Sequence, residues 1–465
     1  MISKINTISR LRGLCLVGAI ALTPPAALAA DVVGSTLEDF FTAALDYSPR
    51  LKISEQRKAI GEARRDAATG QLKPQISAQG TVTENRRTTN NVLNEFDGER
   101  YSIQLTQVLF NWEAFSARKQ AISEQDQSEA EYYYELSVLL TSVAEKYFNV
   151  LQAQGEVASN AAELDAVKKQ LAQIEDKHER QLAQITDLLQ ARASVASVEA
   201  AQIKLQSDLD LAREALRSVS GLDVGKLLDL ANGAATPTVQ ESIAEWVARA
   251  EDNNYLIKAR EYAMNATQAG ISRSKGAFMP NASLIVERQD SDLGFDNAPI
   301  QKSETTYVGI DLRVPIYAGG TRRAQLREAR SLHAIAGSEL EQIKLDTSEL
   351  VRSAYLQYRA SQSSIKAAKS LLESTTAAAD AMQKGFDLGT VTSVDVLNAI
   401  RDRYQAERLL QEAKYDSIKF YLLLKRESGS LTPEDMKEVS GLFKSVAGIS
   451  VNEYGSLFPS EVAGH

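Results

Sequence analysis

Two periodicities divide the chain. Over short segments apolar and polar residues alternate: Ile76, Ala78, Gly80 and Val82 against Ser77, Gln79, Thr81 and Thr83, then Tyr101, Ile103 and Leu105 against Ser102, Gln104 and Thr106. The pattern returns at Ala282, Leu284 and Val286, and again at Val308, Ile310, Leu312 and Val314. Period two over about ten residues predicts strands with one apolar face. Membrane-barrel strands and hairpins of an ordinary β-domain share that pattern, and both readings stand at this point. The polar stretches between the paired strands, 86–99 and 291–303, read as exposed loops.

Elsewhere the period is helical. Residues 37–70 and 243–276 each read as one helix of roughly thirty residues, with Pro49 marking a kink or a short first helix in the first. No proline interrupts 112–220 or 317–431, and the first of these runs holds only Gly155 as glycine. Leu164, Val167, Leu171, Ile174 and His178 follow 3-4-3-4 spacing, and Leu372, Thr375, Ala379, Met382 and Phe386 repeat it 208 residues later. This is a heptad seam. Sixty such residues reach roughly 90 Å, far more than a compact domain needs.

The offset extends along the whole chain. The helix opening at Leu37 and running to Pro74 matches the one from Ile243 to Pro280 at 206. Ile103, Leu105 and Phe110 match Ile310, Leu312 and Tyr317 at 207, and Tyr147 and Asp187 match Tyr355 and Asp395 at 208. One ancestral unit is written twice. Its boundaries are read as 31–230 (hairpin 75–110, long helices 112–220) and 231–430 (hairpin 281–317, long helices 320–428). The stretch 431–465 follows as a C-terminal helix, opened by Thr432 and Pro433, and a tail.

Composition refines this picture. Apolar residues make up 44% of the chain and aromatics only 6%, which favours long helices packed through small side chains. Lys4, Arg10 and Arg12, the apolar run from Gly13 to Leu22, and Ala27-Leu28-Ala29 read as a secretory signal peptide over 1–30. Its removal would take the net charge from −9 to −12 and carry away Cys15, the one cysteine. An acidic exported chain points away from nucleic acid. No later run of 18 apolar residues suits a membrane helix, so insertion is open only to a β-barrel. Four strands cannot close one, and open edges are not tolerated in lipid. Membrane strands would therefore require several copies around one axis.

The tandem duplication, Leu105-x-x-Val108-Leu109-Phe110 against Leu312-x-Val314-Pro315-Ile316-Tyr317, and the paired turns at 174–191 and 382–399 resemble the TolC-like outer-membrane efflux family over nearly all of the chain after the signal peptide. The second turn reads Gly385-Phe386-Asp387-Leu388-Gly389-Thr390, then Asp395-Val396-Leu397-Asn398-Ala399; the first supplies Ile185-Thr186-Asp187-Leu188-Leu189. The resemblance implies an α+β membrane protein. Three chains would share a twelve-stranded barrel and a long helical tunnel through the periplasm, closed at its tip. It further implies a passive exit duct for type I protein secretion or small-molecule efflux. A periplasmic adaptor and an inner-membrane transporter, possibly of ABC type, would open it, and outer-membrane lipid would surround its barrel.

By the same resemblance, Asp395 matches the first of two pore aspartates, whereas Asn398 stands at the second. Phe386 and Val391 replace a tyrosine and an arginine that latch the closed mouth by polar contacts, and neither is expected to make such contacts. Asp187 matches the latch's carboxylate. Gln181, Leu182 and Ala183 in one turn and Gly385, Gly389 and Thr390 in the other correspond to adaptor-docking positions. Gln181 in place of glycine predicts a differently shaped first turn.

Set against these expectations, Asp395 is by default a solvated carboxylate at a helix start. His178 fits a packed seam position, and His333 and His465 have no His or Cys neighbour, so no metal or cofactor is expected. Arg322 and Arg323, after Gly319-Gly320, read as polar residues at a strand-to-helix junction. Trp112, Tyr101, Tyr307 and Tyr317 suit an interfacial girdle or core packing equally. No nucleophile-and-base set, Walker loop or dinucleotide motif is present, so the chain is not expected to be an enzyme. The rival reading is a soluble periplasmic coiled-coil scaffold or adaptor.

Overall fold

The computed structural model describes residues 33–34, 36–89, 91–225, 227, 237–294, 298–432, 435 and 439–441. The signal peptide reading and the tail beyond 441 lie outside these. In order the elements are β1 (Val33–Gly34), α1 (Leu37–Tyr47), α2 (Pro49–Gly70), β2 (Gln75–Thr89), β3 (Val92–Phe110), α3 (Trp112–Glu179) and α4 (Ile185–Ser220). There follow β4 (Asp223–Val224), α5 (Ile243–Asn253), α6 (Tyr255–Gly276), β5 (Asn281–Leu293), β6 (Pro299–Arg313), α7 (Thr321–Asp387) and α8 (Ser393–Glu427).

The duplication is reproduced element by element. α1 and α5 have 11 residues each, α2 and α6 have 22, α3 and α7 have 68 and 67, and α4 and α8 have 36 and 35. The helix from 37 breaks at Ser48, where Pro49 takes the first helical position. The helix from 243 also breaks, a division the sequence reading missed for want of a proline. Asn254 makes it: its Oδ1 caps the amides of Leu256 and Ile257, and its Nδ2 donates to the Glu427 carbonyl at 2.7 Å. An Asn side chain bonded to nearby backbone competes with helix continuation.

The four long strands form one antiparallel sheet in the order β2-β3-β5-β6. Opposed residues share a face, so the register sets Ile76, Leu105, Val286 and Val308 in one apolar row. The strands run past the expected loops. β2 continues to Thr89 and turns at Asn91, whose φ is 61°, while β5 continues to Leu293. Polar cross-strand pairs hold these distal ribbons: Arg86–Glu95 at 2.9 Å, Lys302–Asp290 at 3.4 Å, and Arg288–Glu304. With no apolar period, such ribbons look like loops in a sequence. The second hairpin also ends early, β6 stopping at Arg313 rather than 317.

The helices repeat the order of the strands: α2 packs on α3, α3 on α6, and α6 on α7. Sheet and helical layer therefore end on matching open edges, β2 with α2 and β6 with α7. At 1.5 Å per residue α3 is roughly 100 Å long. Its midpoint meets the main core, where Phe40, Tyr147, Phe148 and Tyr415 stack ring to ring at 5.9, 6.0 and 6.1 Å. α5 covers the corresponding part of α7 with Trp246 and Val247 against Val351 and Ala354. Past the end of α8, Thr432 and Asp435 cap each other reciprocally, as the sequence predicted for a helix start.

Candidate functional site

Far from the sheet, α3 turns into α4 and α7 into α8. The second turn begins where Thr390 donates its amide to the Gly385 carbonyl at 2.9 Å and Gly389 donates to Phe386 at 3.1 Å. This six-to-one bond with a left-handed residue before it closes the helix end. Gly389 supplies that residue, with φ 78°. Gly385 is required for space, since a Cβ there would meet Val391 Cγ2 at 2.5 Å.

The first turn has the same shape, which corrects the sequence expectation. Leu182 donates to the Lys177 carbonyl at 2.8 Å, Gln181 to His178 at 2.9 Å, and Gln181 itself adopts φ 61°. The hydrogen-bond frame imposes the left-handed conformation despite the Cβ cost, on the order of 1 kcal/mol. His178 stays within this turn, its Nδ1 2.9 Å from the Ala183 carbonyl.

The two helix starts differ. Thr392 forms a full capping box with Asp395: the Asp395 amide donates to Thr392 Oγ1 at 3.3 Å, while the Thr392 hydroxyl and amide donate to Asp395 Oδ2 at 2.6 and 3.3 Å. Asp395 is exposed, as is Asn398 one turn on. In the first repeat Gln184 occupies the cap and makes no side-chain bond to the helix, so the half-exposed Asp187 has no capping partner. Asp187 and Asp395 thus hold the same helix position in different bonding states.

Val167, Ile174, Leu188, Ala191, Val195, Phe386, Val396 and Leu397 form one buried cluster that joins the turns, with Ala183 and Val391 packed at its edge. Phe386 is 7% exposed. The Lys177 ammonium lies over its ring, 3.6 Å from the centroid, and donates to its carbonyl at 3.3 Å. Phe386 therefore does take part in polar contacts, through its π face and main chain; the expectation to the contrary considered only side-chain donors and acceptors. Higher up, the buried Glu163 pairs with Arg408 at 2.8 Å across the repeats, beside a cleft of about 550 Å³ that Asn398 and Arg401 also line. Lys177, Thr392 and the Glu163–Arg408 pair were absent from the sequence reading. Thr392 was findable, as a Thr three residues ahead of an acid. The others depend on pairings across the two repeats. Leu182 and Leu388, at the apices, are 74% and 80% exposed.

Among the described residues no group of three His, Cys, Asp or Glu could hold a metal ion, and no helix is long and apolar enough to cross a membrane.

A duplicated chain with a four-stranded open sheet, an apolar strand face and paired tips on long helices defines an outer-membrane channel protein. Its residues 41–222 and 246–424 match the model of the outer membrane efflux protein family, and the chain belongs to that family. It is 29% identical over 423 residues to the outer membrane protein TolC of Vibrio cholerae serotype O1, covering 90% of this chain and 96% of that protein. It is 25% identical over 434 residues to the alkaline protease secretion protein AprF of Pseudomonas aeruginosa, with 89% of each chain covered. In fold it is similar to the outer membrane protein VceC from Vibrio cholerae, with a TM-score of 0.73, 18% identity, and coverage of 84% of this chain and 96% of that one. These relationships place the chain in the outer membrane and set aside the soluble-scaffold reading.

Proposed function

We propose that the chain is the exit duct of a tripartite export system, a passive homotrimeric channel serving type I protein secretion or small-molecule efflux. One observation carries the assembly: sheet and helical layer run in the same order and end on matching open edges. A β2 edge joined to a neighbour's β6 edge satisfies the backbone groups that lipid cannot, and three copies give a twelve-stranded barrel. The paired tips form its periplasmic mouth. Asp395 and Asn398 face the constriction, Asp187, Phe386 and Val391 set the gate, and a periplasmic adaptor with an inner-membrane transporter docks at 181–183 and at Gly385, Gly389 and Thr390. The exposed leucines at the turn apices favour such a partner, because large apolar side chains held at a tip gain from being covered. The mass of the detergent-solubilised complex tests the assembly. Three copies per particle are expected, and a stable monomer would overturn it.

A further inference from the structure

The junction between β6 and α7 carries features that channel function leaves unused. Along β6 the residues Val308, Ile310, Leu312, Val314 and Ile316 form one exposed apolar stripe that continues past the strand's end. It spans roughly 26 Å, the scale of a barrel's apolar band. Ile316 and Tyr317 are 95% and 86% exposed. Gly319 and Gly320, with φ 59° and 84°, then turn the chain into α7.

Directly beyond this turn the sequence Thr321–Arg330 holds four arginines and one acid, in a chain whose net charge is −9. Arg323, Arg327 and Arg330 are exposed and Arg322 half-exposed, and none has an ion-pair partner among the described residues. That contrasts with the paired Arg86, Arg288 and Arg313 of the strands. At 100° per residue Arg323 and Arg327 lie about 40° apart on the helix, Arg322 stands about 100° to one side of Arg323, and Arg330 lies about two turns further from the strand. The corresponding junction of the first repeat shows the same combination on a smaller scale, with Trp112, Phe115 and Lys119 exposed.

We infer that this junction is a binding surface for anionic phospholipid of the periplasmic leaflet, with Arg322, Arg323 and Arg327 holding the headgroup phosphate and glycerol ends while Ile316 and Tyr317 sit among the upper acyl carbons. The inference rests on the sheet lying in the membrane. The apolar stripe sets the depth of the hydrocarbon, and the arginines follow within a turn or two of helix, where headgroups begin. Guanidinium groups with no ion-pair partner among the described residues, placed at that level, carry the positive charge that draws phosphodiester oxygens. Each cation near an anionic leaflet contributes a several-fold gain in affinity.

The test uses the full chain reconstituted in vesicles of phosphatidylethanolamine mixed with phosphatidylglycerol, with flotation, particle mass and retained lipid read in parallel. Wild type is expected to float and to retain phosphatidylglycerol in excess over phosphatidylethanolamine. The combined Arg322→Gln, Arg323→Gln, Arg327→Gln variant should float equally and lose that enrichment by about tenfold or more, and the matching Arg→Lys variant should keep most of it. Equal enrichment in the Gln variant would overturn the inference. So would loss of assembly in that variant without loss of enrichment, which would assign the arginines to a neighbouring copy. Failure of wild type itself to float would instead refute the membrane placement of the sheet.

Discussion

The Lys177 ammonium sits 3.6 Å from the centre of the Phe386 ring and 3.3 Å from the same residue's carbonyl oxygen, joining helix ends 209 residues apart. Both contacts draw on one cation, so separating the two turns would break them together. A cation over an aromatic face is worth roughly 0.5–2 kcal/mol depending on desolvation, and the charged hydrogen bond adds a similar amount. Lys177→Met keeps most of the stem and removes the charge. We expect amide exchange over 384–392 to accelerate roughly 5–30-fold, the equivalent of about 1–2 kcal/mol of local opening energy. Unchanged exchange would show that apolar packing alone closes the tips.

Gln181 provides a second test, because its turn matches that of Gly389 in hydrogen bonds while carrying a side chain at φ 61°. Gln181→Gly relieves the left-handed penalty and is expected to stabilise the first turn by about 1 kcal/mol, less the added freedom of glycine in the unfolded chain. Slower exchange at 180–184 would register the gain. Faster exchange would mean that the Gln side chain contributes a contact of its own.

The helix starts offer a third. Gln184 leaves α4 without a side-chain cap, although Asp187 already stands where Asp395 completes the box in α8. Gln184→Thr should recreate that box and raise stability by about 0.5–2 kcal/mol. The companion change Asp187→Ala should abolish the gain. Chemical denaturation of the two variants measures both, and a gain that survives Asp187→Ala would contradict the capping explanation.

Much of this architecture was legible in the sequence because repetition amplifies weak signals. The heptad seam from Leu164 to His178 means more when Leu372 to Phe386 repeats it, and the alternating stretches gain meaning by returning at the same offset. Signals without an apolar period were lost: the distal ribbons of β2 and β5 read as loops because Arg86–Glu95 and Lys302–Asp290 are polar on both strands. The break at Asn254 was hidden because no proline marks it: Asn254 caps α6 locally and is held in place by a bond to Glu427, far along the chain. At the paired turns, residue types were legible and relationships were not. Phe386 was judged by its side-chain chemistry, whereas its role in the tip depends on Lys177 from the other repeat.

The claim that the paired turns form the conducting mouth is tested most directly by ion selectivity in planar bilayers, comparing wild type with Asp395→Ala. Asp395 is exposed at the start of α8, and its carboxylate also caps that helix. Asp395→Asn, which keeps most of the capping geometry, separates charge from local folding. If three such carboxylates ring the narrowest point, wild type is cation-selective and both variants lose a large part of that preference. Cation selectivity unchanged in both variants would remove Asp395 from the pore and contradict the placement of the mouth at these turns.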